Sequence, residues 1–234
     1  MRVDIALQGP KSRKILLGLT SDKAARARLK SLQRFHLMQA EFEGIDLIVS
    51  RTGYTGEWVS FELFVHPDKA VELWNVLMKT GEAHGLQACG LGARDSLRIE
   101  AGLPLYGHEL SGPLSLGPAD AGFRGFVATY KPWFIGRDAF LAKEEKRKRE
   151  VARFQFPKGS RIAHQGDPVT DASGKPIGEV TSCSLDREGS LTGQAYVDKK
   201  YTKEGSRFTV YQGMHGQQLG KDAKGTEAVV LSRF

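Results

Sequence analysis

Glu62 stands between Phe61 and Leu63 in the run SFELFV, Ser60 to Val65. Side chains alternate across a strand, so its carboxylate points away from the face that Phe61 and Leu63 occupy. If that second face is covered, the charge needs partners, because an unpaired buried carboxylate is very costly. Two parallel N–H donors suit it, and an arginine or an aminopyrimidine ring offers such a pair. If the face is open, Glu62 is an ordinary surface glutamate on a one-faced sheet. Tyr54, in the preceding GYTGE, is either packing at a hairpin tip or a platform on which a flat ring stacks. Gly53 and Gly56 permit unusual backbone angles in both cases.

A second dense segment is GLGARDSLRIEAGLPLYGHEL, Gly90 to Leu110. Arg94 and Arg98 share one face of a helix near its N-terminus. Cations there oppose the helix dipole, which favours an anionic ligand. Asp95 and Glu100 are the alternative partners, and such ion pairs are common. Other constellations fail. GLGARD is not G-x-G-x-x-G, and no P-loop or G-x-S-x-G occurs. His108-Glu109 lacks the second histidine of H-E-x-x-H, and the six histidines are scattered. Cys89 and Cys183 form no C-x-x-C pair, so neither a zinc site nor a disulfide framework is expected, and reduced thiols fit a cytoplasmic protein.

The elements that position these residues alternate strand and helix signals. Val3, Ile5 and Leu7 alternate as a half-buried strand does. Pro10 precedes a helix carrying Ile15, Leu16 and Leu19. Residues 35–42 and 45–49 read as two strands turned at Glu43-Gly44, and Phe61, Leu63 and Val65 make another. Pro67 opens a helix with Ala70, Leu73, Trp74, Leu77 and Met78 on one face, stopping near Gly81. A further helix follows Gly92. This mixture predicts an α+β layer, one sheet with helices on one face.

After Gly102 the chain is rich in Gly, Pro and Ser and reads as extended connection, followed by a short helix in KPWFIGRDAFLAKEEKRK. The charged run KEEKRKRE, Lys143 to Glu150, mixes both signs and reads as a solvated helix end or linker. From Val151 the signals are short strands, ARFQF, IGEVTSCSL, GQAYV, RFTVY and EAVVL, separated by turn clusters such as DASGKP and DREGS. They predict a small barrel or sandwich. The division falls near residue 147, giving 1–147 and 148–234.

The totals bound the function. The 234 residues are 40% hydrophobic, enough for one large or two small domains. No apolar run is long enough for a membrane helix, and the N-terminus carries no long apolar stretch of a secretory signal. Net charge is +7, compatible with an anionic small ligand or an acidic protein partner. A nucleic-acid module would concentrate its bases with stacking aromatics, and none is evident.

SRTGYTGE followed by FEL, then GLGARDSLRIEAGLPLYGHEL, then KPWFIGRDAF, resemble in this order the T-protein family of the glycine cleavage system. Those are tetrahydrofolate-dependent aminomethyltransferases. KPIGEVTSCS and AYVDKKYTKEGSRFTV extend the similarity over nearly the whole chain. The resemblance implies a ferredoxin-like α+β half domain followed by a small C-terminal β-barrel. It implies transfer of a methylene carbon from the aminomethyl-lipoyl arm of H-protein to tetrahydrofolate, with release of ammonia. It also implies that Tyr54 lines the folate site, that Glu62 binds the pterin's amino and ring N–H donors, and that Arg94 lies near the benzoyl-glutamate end.

Two departures stand out. Family members usually place two residues between GYTGE and the F/W-E-L strand, whereas Trp58, Val59 and Ser60 stand here. Members also carry over a hundred residues before the IALQGP strand, which supply half of the folate pocket and an essential aspartate. The resemblance is therefore to the second and third domains, with no catalytic residue assignable. It implies a shortened aminomethyltransferase completed by an N-terminal fragment or second chain, or a folate-binding or assembly module without catalysis. A relative acting in iron–sulfur assembly would carry K-G-C-Y-x-G-Q, where KPWFIGRD stands instead.

Overall fold

The computed structural model describes residues 1–217, 219–220 and 223–232. It forms two compact units, Met1–Arg94 and Asp95–Phe234.

The first unit is built on a four-stranded antiparallel sheet of β1 (Val3–Gln8), β2 (Leu37–Phe42), β3 (Ile45–Ser50) and β4 (Ser60–Val65), in the order β1-β4-β3-β2. Glu43 and Gly44 both have positive φ, 48° and 75°, which turns β2 tightly into β3. One face of the sheet carries Leu7, Met38, Phe42, Leu47, Val49, Phe61, Leu63 and Val65, all buried. Helices α1 (Ser12–Gly18), α2 (Lys23–Ser31) and α3 (Ala70–Gly81) supply Ile15, Leu16, Leu29, Leu73 and Leu77 to the same core. Burying a side chain of this size stabilises by about 1.5–3 kcal/mol, so this core fixes the register of every strand. Helix α2 was not expected. It buries only Ala25 and Leu29, too sparse an apolar pattern to stand out, and Asp22 starts it by accepting from the Ala24 and Ala25 amides.

The predicted face of α3 is narrower than expected. Leu73 and Leu77 are fully buried, whereas Trp74 is largely exposed. Helix α4 (Leu91–Glu100) follows, and its first residues close the first unit.

The second unit contains helix α5 (Arg137–Lys146) and six antiparallel strands closed into a barrel. These are β5 (Arg149–Gln155), β6 (Pro168–Thr170), β7 (Pro176–Leu185), β8 (Leu191–Asp198), β9 (Arg207–Val210) and β10 (Thr226–Val230), ordered β10-β5-β8-β7-β6-β9. Five correspond to predicted strands. The three-residue β6 is too short to show a period. Phe154, Val180, Ala195, Val197, Phe208, Val210 and Ala228 fill the barrel, and Phe154 meets Phe156 and Phe208 edge to face. Gly193 leaves room for the Phe154 ring, since a Cβ there would overlap it.

Helix α5 ends at Lys146 and the first barrel strand begins at Arg149. The compact units separate earlier, after Arg94, because the intervening chain is bonded to the barrel. Val151 N–H donates to Asp120 O, and Gln194 Nε2 donates to Leu103 O. The charged run is not simply solvated. Arg147 is nearly buried and pairs with Glu144 and Glu150, and the Glu144 hydrogen bond raises its pKa. Lys143 pairs with the buried Asp120 at 2.6 Å.

Candidate functional site

The second face of the first sheet is polar where β1, β3 and β4 meet. Gln8 pairs with Ser60 and Ala6 with Glu62, while Ser50 faces Glu62 from β3. Alternation therefore gathers Gln8, Ser50, Ser60 and Glu62 on one side. Phe61 and Leu63 are fully buried on the other. Glu62 is half-buried. Its Oε2 accepts a hydrogen bond from the Thr52 hydroxyl, which also lies 3.0 Å from Ser50 Oγ. No other side chain among the described residues hydrogen-bonds the Glu62 carboxylate. Asp4 lies on the same face. Its surface is open, but neighbouring strands displace enough water to raise its carboxyl, and the Glu62 charge raises it further.

The segment between β3 and β4 is tied down by Gln8. Gln8 Oε1 accepts from the Tyr54 amide at 3.0 Å and from the Thr55 hydroxyl at 2.8 Å. Its Nε2 is buried and makes no hydrogen bond among the described residues. Gly53 passes so close that a Cβ would overlap the Ser60 side chain, and Gly56 has φ +77°. Glu57 accepts from Val59 N–H with Oε1 and from the Ser60 hydroxyl with its carbonyl. It holds the loop.

Tyr54 and Arg94 come together: the Arg94 guanidinium lies over the Tyr54 ring, 4.7 Å from its centroid. Arg94 is exposed and Tyr54 half-buried, so one side of the pair faces solvent with its charge. Arg98, expected to share a face with Arg94, has a different environment. It is completely buried, with its Nε on Asp95 at 2.7 Å and its Nη1 on Glu109 at 2.7 Å. The fully buried Glu109 also accepts from Ser182 Oγ at 2.6 Å and from Leu105 N–H at 3.0 Å. Glu100 pairs with Arg187. Arg98 is thus a structural ion-pair residue, as the alternative had it, and Arg94 alone is left with its charge outward.

Gln8, Ser50, Thr52 and Asp4 were not singled out from the sequence. A signal existed for three of them: Asp4 and Gln8 fall in register with Ala6, and Ser50 ends an alternating run, so each belongs to the polar face. Thr52 lies outside any strand, and only the closed loop brings it to Glu62.

With this geometry in place the comparisons are decisive for family. The family described as "GCVT N-terminal domain" matches residues 2–131. An aminomethyltransferase of Halothermothrix orenii is 41% identical over 83% of this chain and 53% of its own length. One of Streptomyces avermitilis is 42% identical over 86% of this chain and 53% of its own. The chain belongs to the aminomethyltransferase family of the glycine cleavage system. The crystal structure of glycine cleavage system aminomethyltransferase T from Bartonella henselae superposes with a TM-score of 0.77 at 28% identity, covering 99% of this chain and 58% of that one. The α+β half and the terminal barrel are therefore the family fold. The chain spans about half the length of the curated relatives it matches. No helix among the described residues is long and apolar enough to cross a membrane.

Proposed function

We propose that the polar face of the first unit binds tetrahydrofolate and that the chain serves an aminomethyltransferase reaction. Glu62 takes the aminopyrimidine edge of the pterin. Tyr54 lies against the flat part of the ligand, and Arg94 meets the benzoyl-glutamate end. The observation that carries this is the half-buried Glu62 carboxylate, engaged among the described residues by one side-chain hydroxyl at one oxygen. A carboxylate so placed on a strand can accept two parallel N–H donors, which an aminopyrimidine presents. The stacked Arg94–Tyr54 pair gives a second point of attachment with charge complementary to a glutamate tail.

In this reaction a lipoylated H-protein delivers the aminomethyl group. The methylene carbon leaves the lipoyl sulfur and the amine nitrogen and becomes bonded to the folate nitrogens, so a thiol and ammonia are released. The reaction also needs a proton-transfer group at the reacting nitrogen. Such a group contributes about 10²–10⁴-fold, and no residue of this chain is assigned that role. Proteins of this kind work in glycine catabolism and one-carbon metabolism, which fits the cytoplasm.

Calorimetric titration of the 234-residue chain with tetrahydrofolate tests the binding. Ammonia release from aminomethylated H-protein then separates enzyme from binding module. Binding without turnover assigns the chain to the non-catalytic alternative, and absence of folate binding by the chain ends the proposal.

A further inference from the structure

Arg13, on α1, and Arg51, which follows β3, both reach the C-terminal end of α2 in the first unit. Arg13 Nη1 donates to Lys30 O at 3.4 Å, and Arg51 Nη1 donates to Leu32 O at 2.9 Å. The two acceptors are only two residues apart in the chain, which makes the guanidiniums neighbours. Cations suit a helix C-terminus, whose last carbonyls lack partners within the helix. That capping role occupies one nitrogen of each arginine. Arg13 Nε and Nη2 and Arg51 Nε are buried and have no hydrogen-bond partner among the described residues. Buried polar groups are nearly always bonded, so three such nitrogens on two adjacent side chains call for an explanation.

No acid balances the charge. Neither arginine forms an ion pair among the described residues. From Pro10 to His36 the chain carries eight Lys and Arg and a single acid, Asp22. Asp22 is committed at the opposite end of α2, where it accepts from the Ala24 and Ala25 amides. Burial lowers the Arg13 pKa, and the Arg51 charge lowers it further. Two like charges are thus held side by side with no carboxylate between them. The Arg13 guanidinium also lies 5.9 Å from the centroid of the fully buried Phe61 ring. Both arginines are half-buried, so their free donors are shielded from bulk water, where an electrostatic contact is stronger.

The unbonded edge selects its ligand. Nε and Nη2 of one guanidinium donate in parallel, the fork that meets two oxygens of an oxyanion. Arg13 Nη1 is anchored on a carbonyl, so this edge is oriented before a ligand arrives. Arg51 Nε adds a donor from a second segment. A carboxylate is filled by the first fork, whereas a tetrahedral oxyanion has further oxygens for the second arginine. The C-terminus of α2 carries about half a negative elementary charge, which the two full positive charges outweigh. We propose that Arg13 and Arg51 form a binding site for a small phosphate-class oxyanion beside the C-terminus of α2. The site is independent of the folate reading of Tyr54, Glu62 and Arg94.

The test titrates the 234-residue chain with inorganic phosphate by calorimetry at low ionic strength, with acetate as the comparison anion. The unaltered chain should bind phosphate saturably and roughly tenfold more tightly than acetate. Arg13→Gln should weaken phosphate binding roughly tenfold. Arg13→Lys keeps the charge and loses the fork, so it should weaken binding nearly as much. Lys158→Gln removes an exposed barrel charge and should bind phosphate as the parent does. Circular dichroism checks folding, and Arg13→Lys carries the comparison if Arg13→Gln does not fold. Phosphate should also raise the Tm of the unaltered chain above that in chloride of equal ionic strength, since a ligand of the folded state stabilises it. Absence of saturable phosphate binding by the unaltered chain overturns the proposal. So does unchanged phosphate affinity in the folded Arg13 variants. Acetate bound as tightly as phosphate assigns the edge to carboxylates and overturns the phosphate class.

Discussion

Arg94 lies over the ring of Tyr54, 4.7 Å from its centroid, although forty residues separate them in the chain. The relationship converts two residues of separate motifs into one amphipathic platform, with an aromatic face below and a cation above. A cation on an exposed ring contributes about 0.5–1 kcal/mol. We predict that Arg94→Gln weakens tetrahydrofolate binding several-fold, more than Arg187→Gln on the barrel, with both read by calorimetry. Equal affinities for the two variants would take Arg94 out of the site.

Glu62 and Glu57 are five residues apart and differ in role. Glu62 faces the polar side of the sheet, while Glu57 closes its own loop through Val59 N–H. In the proposed folate complex, Glu62→Gln would replace one acceptor oxygen by a donor facing the pterin's donors. The expected loss of affinity is about 1–3 kcal/mol, the cost of a charged hydrogen bond left unmatched. Glu57→Gln keeps an acceptor for Val59 and should bind folate nearly as the parent does. The comparison requires only two titrations, and a larger loss for Glu57→Gln would reverse the assignment.

The Arg98–Glu109 pair is fully buried, and its removal is predicted to be felt as stability. Glu109→Ala leaves the Arg98 charge with Asp95 alone and strips an acceptor from Ser182. Breaking one side of a buried pair costs about 3–5 kcal/mol. The double variant Arg98→Met, Glu109→Leu should be less destabilised than Glu109→Ala, because no uncompensated charge stays inside. Urea unfolding of the three proteins decides this, and additive losses in the double variant would contradict it.

Acid should weaken the barrel through Asp171. Its carboxylate accepts from the Ser173 hydroxyl at 2.6 Å, from the Tyr201 hydroxyl at 2.9 Å and from the Lys175 and Ser173 amides. These bonds, the Ser173 hydroxyl foremost, hold it at about 2 against an ordinary 3.8. A depressed carboxylate favours the folded state above the ordinary value, and that contribution disappears as pH falls toward the folded one. The stability difference between the parent and Asp171→Asn should thus be constant above about pH 5 and shrink between about pH 4 and 2. Chemical denaturation at a series of pH values measures it; a difference independent of pH down to 2 would exclude Asp171 from the acid response.

Much of the architecture was legible in the chain itself. Alternation at Val3, Ile5 and Leu7 and at Phe61, Leu63 and Val65 gave β1 and β4, because a one-faced sheet must repeat every second residue. The same rule put Glu62 on the face opposite the core before any partner was known. Turn clusters spaced along 171–206 marked barrel strands, since short strands need frequent reversals. The motifs around Tyr54, Glu62 and Arg94 indicated the family, whose members share that order.

Tertiary structure alone decided the partners. Helix α2 escaped notice because two buried residues, Ala25 and Leu29, hold it, and its stability comes from packing against the sheet rather than from its own pattern. Arg94 and Arg98 look alike in sequence, one helical turn apart. Only the folded chain puts a buried Glu109 beside Arg98 and a tyrosine ring beneath Arg94. Gln8 and Thr52 reach Tyr54 and Glu62 through loop closure. Periodicity reports which side of an element a residue occupies, whereas hydrogen-bond partners depend on which distant segments the closed core brings within 3 Å.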